Sequence, residues 1–320
     1  MNRCLCCYKE LNKADNDFSW HDSCIKRFFS TQKIPEIKID EELIGKFIDS
    51  QVTKGNTIQG VQKKFSLGLS KKEHNKLTLI DYPLGYILKP QVKSYSKLPE
   101  AEFLTMQMAK VAKINIVSNG LIKVNNEYAY ITKRVDRIIK KEKSISLAME
   151  DFCQLQNRLT EDKYKGSYEN CAKTIQKYSS RPTIDLIEFF LRIVFSFIVG
   201  NSDMHLKNFS LLEINGSVNE YALAPAYDLL PVNIILKEGE EEFALTLNGK
   251  KKNITYNDFL KFSNHIGINE AVAIKIIKRT INLEEEFKEM IIDSLLSEEM
   301  KCDYINLIHL RCEKLKKIEY

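Results

Sequence analysis

The stretch Gly200-Asn201-Ser202-Asp203-Met204-His205-Leu206-Lys207-Asn208 decides how this chain is read. It follows an apolar run over residues 184–199, interrupted by Asp185, Glu188 and Arg192, which reads as a buried helix. It precedes two β-like segments, 209–214 and 218–223, around Asn215-Gly216, a strong hairpin signal. Beyond that hairpin stands Ala226-Tyr227-Asp228. A carboxylate such as Asp203 can take the proton of an attacking hydroxyl, and the oxygens of Asn208 and Asp228 suit Mg²⁺. One loop for a base and one for a metal, joined by a hairpin, is a layout for phosphoryl transfer. Asn, Ser, Asp and Gly are also ordinary turn residues, and that plainer reading stands beside the chemical one.

Asp203 and Asn208 lie five positions apart, the spacing of a protein-kinase catalytic loop. The other parts of such a site can be sought upstream. Residues 55–64 form a small-residue turn feeding a strand, and backbone N–H groups in such a turn can cradle phosphate. Phe65, Leu67 and Leu69 then alternate with Ser66, Gly68 and Ser70, the period of a strand. Lys89 ends the next β-like run, Tyr86-Ile87-Leu88-Lys89-Pro90, where an ammonium can reach phosphates or simply face water. Pro99 opens a helix running to about residue 112; its Glu102 is placed to pair with Lys89, or to favour the helix dipole from the first turn. Strands are expected near 114–124 and 127–133, joined by a turn at Asn125-Asn126, and a helical pattern led by Glu150-Asp151-Phe152. Helices are expected over 167–180, 184–199 and most of 256–320, with Thr255 and Asp258 as a capping box.

Composition sets the class. The 320 residues are 44% hydrophobic and 28% charged, which excludes a disordered chain. The net charge of +5 sits on a mixture of 48 basic and 43 acidic side chains, so it argues little for direct nucleic-acid binding. The basic run from Lys133 to Lys143 is interrupted by Asp136 and Glu142 and reads as a solvated loop; a grip on a substrate is its alternative. No run is apolar and long enough for a membrane span. MNRCLCCYKE has no apolar core, so a cytoplasmic protein with reduced thiols is expected. Cys4-x2-Cys7 and His21-x2-Cys24 have the paired spacing of a tetrahedral Zn²⁺ site, structural because four ligands leave no open position. The alternative is reduced cysteines with Phe18, Trp20 and Phe28 packed on the body.

The order of motifs gives a family resemblance. The motifs beginning at Ile58 (Ile58-Gln59-Gly60-Val61-Gln62-Lys63-Lys64), Tyr86 and Glu150, the catalytic stretch, and Pro225-Ala226-Tyr227-Asp228-Leu229-Leu230 occur in the order found in HipA-like serine/threonine kinases, the toxins of type II toxin–antitoxin modules. The resemblance spans roughly residues 50–315 and implies an α+β, two-lobed, protein-kinase-like fold. Residues 1–30 would be a cysteine-rich segment, 31–146 the sheet-rich lobe with the phosphate turn, and 147–320 the helical lobe with the catalytic and metal loops. By resemblance, Asp203 is the catalytic base, and Asn208 and Asp228 hold Mg²⁺. Gln59, Gly60, Val61, Gln62, Lys63, Lys64 and Lys89 meet the phosphates of ATP. Lys133, Arg134 and Val135 link the lobes beside adenine, and His205 and Lys207 line the phosphate site. Thr57 stands where the family carries a regulatory autophosphorylated serine, which implies self-inactivation. Lys133 stands in place of the hinge glutamate.

The resemblance also implies partners. The expected substrate is a protein, an aminoacyl-tRNA synthetase in the best known members. A helix-turn-helix antitoxin is expected, with DNA reached only through it. Usual members carry a small β-rich domain before the phosphate turn; the cysteine-rich opening here is similar to the short HipT form, in which a separate small protein supplies that piece. Two other classes remain at this stage: a small-molecule kinase of the same fold, and an inactive kinase-like binding module.

Overall fold

The computed structural model of the protein describes residues 3–11, 19–37, 64–69, 76–79, 85–140, 143–237 and 241–316. The phosphate turn, with Thr57, Gln59, Gly60, Val61, Gln62 and Lys63, lies outside the described residues. Two units divide the chain: Met1–Phe103 with Ser118–Ile145, and Leu104–Val117 with Ser146–Tyr320.

The first unit is built on a sheet. Its elements in chain order are α1 (Asp22–Phe29), β1 (Glu36–Ile37), β2 (Phe65–Leu69), β3 (Lys76–Leu79), β4 (Tyr86–Pro90), the start of α2 (Leu98–Val111), β5 (Asn119–Val124) and β6 (Glu127–Lys133), then the paired β7 (Arg137–Lys140) and β8 (Lys143–Ser146). Among the described residues the main sheet runs β1-β3-β2-β4-β6-β5 and is antiparallel except where β1 meets β3. Alternation in β2 buries Phe65 and Leu67, as its period requires. Asn125 and Asn126 take φ of 49° and 67°, so the β5–β6 turn has positive φ at both central residues, the type I′ pattern that matches strand twist. The strand expected near 114–124 starts only at Asn119, because residues 114–118 are not in the ladder.

Residues 133–140 are not a solvated loop. Asp136 is buried, Arg134 holds it through two bonds of 3.0 and 2.6 Å, and Arg137 adds a third of 2.6 Å. A buried carboxylate requires such partners.

The second unit continues with β9 (Met149–Asp151), α3 (Phe152–Leu155), α4 (Tyr168–Tyr178), α5 (Pro182–Ile198), β10 (Ser210–Glu213), β11 (Tyr221–Leu223), α6 (Val232–Ile235), α7 (Tyr256–His265), α8 (Glu270–Ile281), α9 (Glu284–Ile292) and α10 (Glu298–Leu315). Thr255 and Asp258 do form the capping box of α7. Rings of Phe152, Tyr168, Phe189, Phe209 and Phe243 meet at centroid distances of 5.0 to 6.4 Å and fill its core. Two charged residues inside α5 are paired: Asp185 accepts bonds from Ser179, Arg181 and the Leu223 N–H, and buried Arg192 pairs with Glu188 at 3.0 Å.

Two local expectations are refined. Ahead of the helix expected at Glu150-Asp151-Phe152 lies a strand: Met149–Asp151 pairs antiparallel with β10, and the helix starts at Phe152 with Asp151 and Gln154 as its capping box. The Asn215-Gly216 turn is not a tight two-residue hairpin. Of the two, only Gly216 has positive φ (90°), and β11 begins at Tyr221, beyond a longer loop. No helix among the described residues is long and apolar enough to cross a membrane.

Candidate functional site

The end of α5 sets the loop over residues 200–208. Gly200 adopts φ +68°, and a Cβ there would lie 2.7 Å from Leu307 Cδ2, so only glycine lets the chain turn out of the helix. Asn201 N–H returns to the Ser196 carbonyl at 2.8 Å, and the Asn201 side chain is fully buried. The loop then closes on itself. His205 N–H donates to Asp203 O at 2.8 Å, and the Asn208 side-chain amide donates to the same carbonyl at 2.8 Å. With its nitrogen so used, Asn208 has its amide oxygen left as an acceptor.

The Asp203 side chain is 45% exposed, so its carboxylate is open to an incoming group. Tyr164 donates to its Oδ1 at 2.8 Å, and His205 Nε2 lies 4.0 Å from Oδ2. The Tyr164 ring also meets the His205 ring edge-on at 5.0 Å. Burial pushes the His205 imidazole down to about 4; Asp203 and Asp228 oppose that shift, and Lys163 adds to it. His205 is therefore neutral at neutral pH. Burial, then the Asp203 charge, pushes the Tyr164 hydroxyl up, so it stays a donor.

Asp228 is brought to this loop by its neighbour. The Tyr227 hydroxyl donates to the Lys207 carbonyl at 3.1 Å and meets Ser210 Oγ at 2.5 Å. Ala226 is stitched on its other side to 115–117: its N–H donates to Asn115 O at 2.7 Å, and its carbonyl accepts from Val117 N–H at 3.0 Å. Asp228 itself adopts φ 56°, a left-handed conformation that a non-glycine residue holds only when its surroundings enforce it. Asn208 and Asp228 offer hard oxygen donors, a chemistry that suits Mg²⁺ rather than a soft metal. Lys207 pairs with Asp151 at 2.6 Å, the residue that also caps α3.

In the first unit, Lys89 is not solvated. Its ammonium is buried, sits 2.5 Å from buried Glu102 and lies 5.2 Å from the centre of the Tyr130 ring. Lys64 is exposed, and Val135 is half-buried. The Lys133 side chain reaches back to the Arg27 carbonyl at 3.4 Å and lies over Phe28 at 6.0 Å; desolvation lowers its affinity for a proton. Its backbone N–H donates to Ser118 O, and that of Arg134 to Gly85 O, both at 2.9 Å. The side chains of Cys4, Cys7, His21 and Cys24 do come together: their ligand atoms all lie within 4.8 Å of one another.

Tyr164 is a site neighbour that motif spacing does not reveal. Tyr164 lies in a loop without periodicity, and its only sequence cue is a tyrosine among charged residues.

The family model described as the HipA-like C-terminal domain matches residues 56–287. The chain belongs to that family. Among relatives of this HipA-like protein, one from Haemophilus influenzae (strain ATCC 51907 / DSM 11121 / KW20 / Rd), named "Putative kinase", is 26% identical over 78% of this chain and 79% of its own length. A second, from Sinorhizobium fredii (strain NBRC 101917 / NGR234) and named "Putative kinase Y4dM", is 30% identical over 70% of this chain and 57% of its own. Among solved structures, the Shewanella oneidensis MR-1 complex of HipA, HipB and operator DNA contains a chain similar over 88% of this one and 74% of its own, with TM-score 0.71 and 19% identity. The Helicobacter pylori proinflammatory kinase CtkA is similar over 75% of this chain and 88% of its own, with TM-score 0.54 and 19% identity. The fold is that of these HipA-like, kinase-type proteins, mixed α and β.

Proposed function

We propose that this HipA-like chain is an ATP-dependent serine/threonine protein kinase that acts as the toxin of a toxin–antitoxin pair. The observation that carries the reading is the coupling of the Asp203–Asn208 loop to Asp228 through the Tyr227 hydroxyl. A Ser or Thr hydroxyl of the target attacks the γ-phosphorus and its proton passes to Asp203. The bond from that phosphorus to the β,γ-bridging oxygen breaks, and ADP leaves. Asn208 and Asp228 would hold Mg²⁺, which when bound neutralises charge on the phosphates. Tyr164 orients the Asp203 carboxylate, and neutral His205 adds no positive charge that would hold the proton back. Lys89, fixed by Glu102, would meet the nucleotide phosphates, as the paired lysine and glutamate of kinases do. The backbone of residues 133–135 would meet adenine, with His205 and Lys207 on the phosphate side.

HipA of Shewanella oneidensis MR-1 is found with HipB and operator DNA. By extension, the partner here is a helix-turn-helix antitoxin, with DNA contact through it, and the setting is the cytoplasm. The test is transfer from radiolabelled ATP with Mg²⁺ to a panel of purified proteins that includes aminoacyl-tRNA synthetases, beside a panel of small alcohols. Acid-stable label on a protein Ser or Thr is the expected result. Label on a small alcohol alone would make it a small-molecule kinase, and no transfer to either would sink the catalytic reading.

A further inference from the structure

The amino-terminal cluster brings four side chains of metal-ligating type together. Residues 3–10 form a tight reversal: Arg3 and Glu10 bridge, Cys4 N–H donates to Lys9 O at 2.8 Å, and Tyr8 N–H donates to Cys4 O at 2.9 Å, with Tyr8 at φ 63°. This places Cys4 and Cys7 on one knuckle. His21 caps α1, and Cys24 is one turn further along it, so the second pair shares a helix face. His21 Nε2 sits 2.9 Å from the Glu10 carbonyl, which can only accept, so Nε2 carries the proton and Nδ1 presents its lone pair. Nδ1 lies 3.4 Å from Cys7 Sγ and 3.9 Å from Cys24 Sγ. A tetrahedron with Zn–N of about 2.0 Å and Zn–S of about 2.3 Å has an N···S edge of about 3.5 Å.

The surroundings favour thiolates. The His21 N–H points at Cys4 Sγ at 3.4 Å, and Arg27 Nη2 at Cys24 Sγ at 3.6 Å. A dication binds the thiolate form, so the three sulfurs would ionise as it binds. Three sulfurs and one imidazole nitrogen select Zn²⁺ over Mg²⁺ or Ca²⁺.

The knuckle is also docked on the sheet of its own unit. Leu121 N–H donates to Leu5 O at 2.8 Å, and the Trp20 indole N–H donates to Leu121 O at 2.8 Å. Trp20 is fully buried, and a Cβ on Gly120 would strike its ring at 2.4 Å, so β5 carries glycine where the indole lies. Phe28 and Phe29 pack on Trp20 at 5.3 and 5.5 Å and on Tyr86 at 5.7 and 5.6 Å, and the Tyr86 hydroxyl donates to Phe28 O at 3.0 Å.

We propose that Cys4, Cys7, His21 and Cys24 bind one Zn²⁺, and that this ion fixes the knuckle and α1 so that Trp20, Phe28 and Phe29 seat on β4 and β5. The ion is structural, and the proposal is independent of the kinase reading.

The test uses the full chain purified without a histidine tag. Elemental analysis is expected to give about one zinc per chain. Exchange for Co²⁺ is expected to give the visible bands of a tetrahedral thiolate site. Trp20, the sole tryptophan, reports docking: removing zinc with a strong chelator is expected to shift its emission to the red and lower the melting temperature. Cys6→Ala is expected to keep the metal, and Cys7→Ala to lose it. Metal-free protein with unchanged Trp20 emission would overturn the proposal, and so would an octahedral cobalt spectrum. If Cys7→Ala does not fold, the zinc content and cobalt spectrum of the unaltered chain still decide. Zinc present but removable without any change in Trp20 would refute its role in seating α1.

Discussion

His205 gives a prediction whose size follows from its surroundings. The imidazole is 5% exposed, and burial lowers it from 6.5 to about 4 on folding. Between those values the unfolded chain binds a proton that the folded chain refuses. Stability therefore falls as pH drops through 6.5 and levels off only below the folded value of about 4. One pKa unit corresponds to about 1.4 kcal/mol, so the loss from this group integrates to about 2 kcal/mol between about pH 7 and pH 5. His205→Gln removes the titration and keeps a polar side chain. Urea denaturation of both proteins across that range isolates the effect, because every other titrating group is common to the two. The unaltered protein is expected to lose about 2 kcal/mol more than the variant. If the two lose stability in parallel, His205 is not buried as a neutral ring and the packing against Tyr164 is wrong.

Three further outcomes are expected. Lys89→Met leaves the Glu102 carboxylate buried without its ammonium and should cost about 3–5 kcal/mol in denaturant melts, most of it recovered when Glu102→Leu is added; equal instability of the double variant would contradict this. Asp228→Asn should weaken Mg²⁺-dependent nucleotide binding, measured calorimetrically, whereas Asp203→Asn should leave it unchanged. Thr57 should acquire a phosphate of about −1.5 to −2 charges on incubation with ATP and Mg²⁺, with loss of activity; intact-mass spectrometry beside an Asp203→Asn control separates self-modification from phosphate added by another kinase.

Some of this molecule can be read directly from its residues. The Asn125-Asn126 turn and the Thr255–Asp258 capping box are local devices whose partners lie within a few positions, so residue type is enough to place them. The proximity of Lys89 to Glu102 follows from a strand end and a helix start separated by a short connection. What escapes the sequence is whatever depends on distant chain. Met149–Asp151 is too short a strand to carry a period, and only β10 makes it one. The Lys207–Asp151 pair joins residues 56 positions apart, and the Tyr164–Asp203 bond joins residues 39 apart. Arg134 and Arg137 read as solvated charges because nothing in the run reveals that Asp136 is buried between them. The clustered cysteines lie between these cases: their spacing is local, while the tautomer of His21 is set by the Glu10 carbonyl.

The most direct test of the central claim is single-turnover phosphoryl transfer to a verified protein substrate by Asp203→Asn. The substitution keeps an oxygen to accept the Tyr164 hydroxyl bond but cannot take a proton. Transfer is expected to fall by about 10²–10⁴-fold, with nucleotide affinity and denaturation midpoint unchanged. Turnover at the unaltered rate would contradict the assignment of Asp203 as the base.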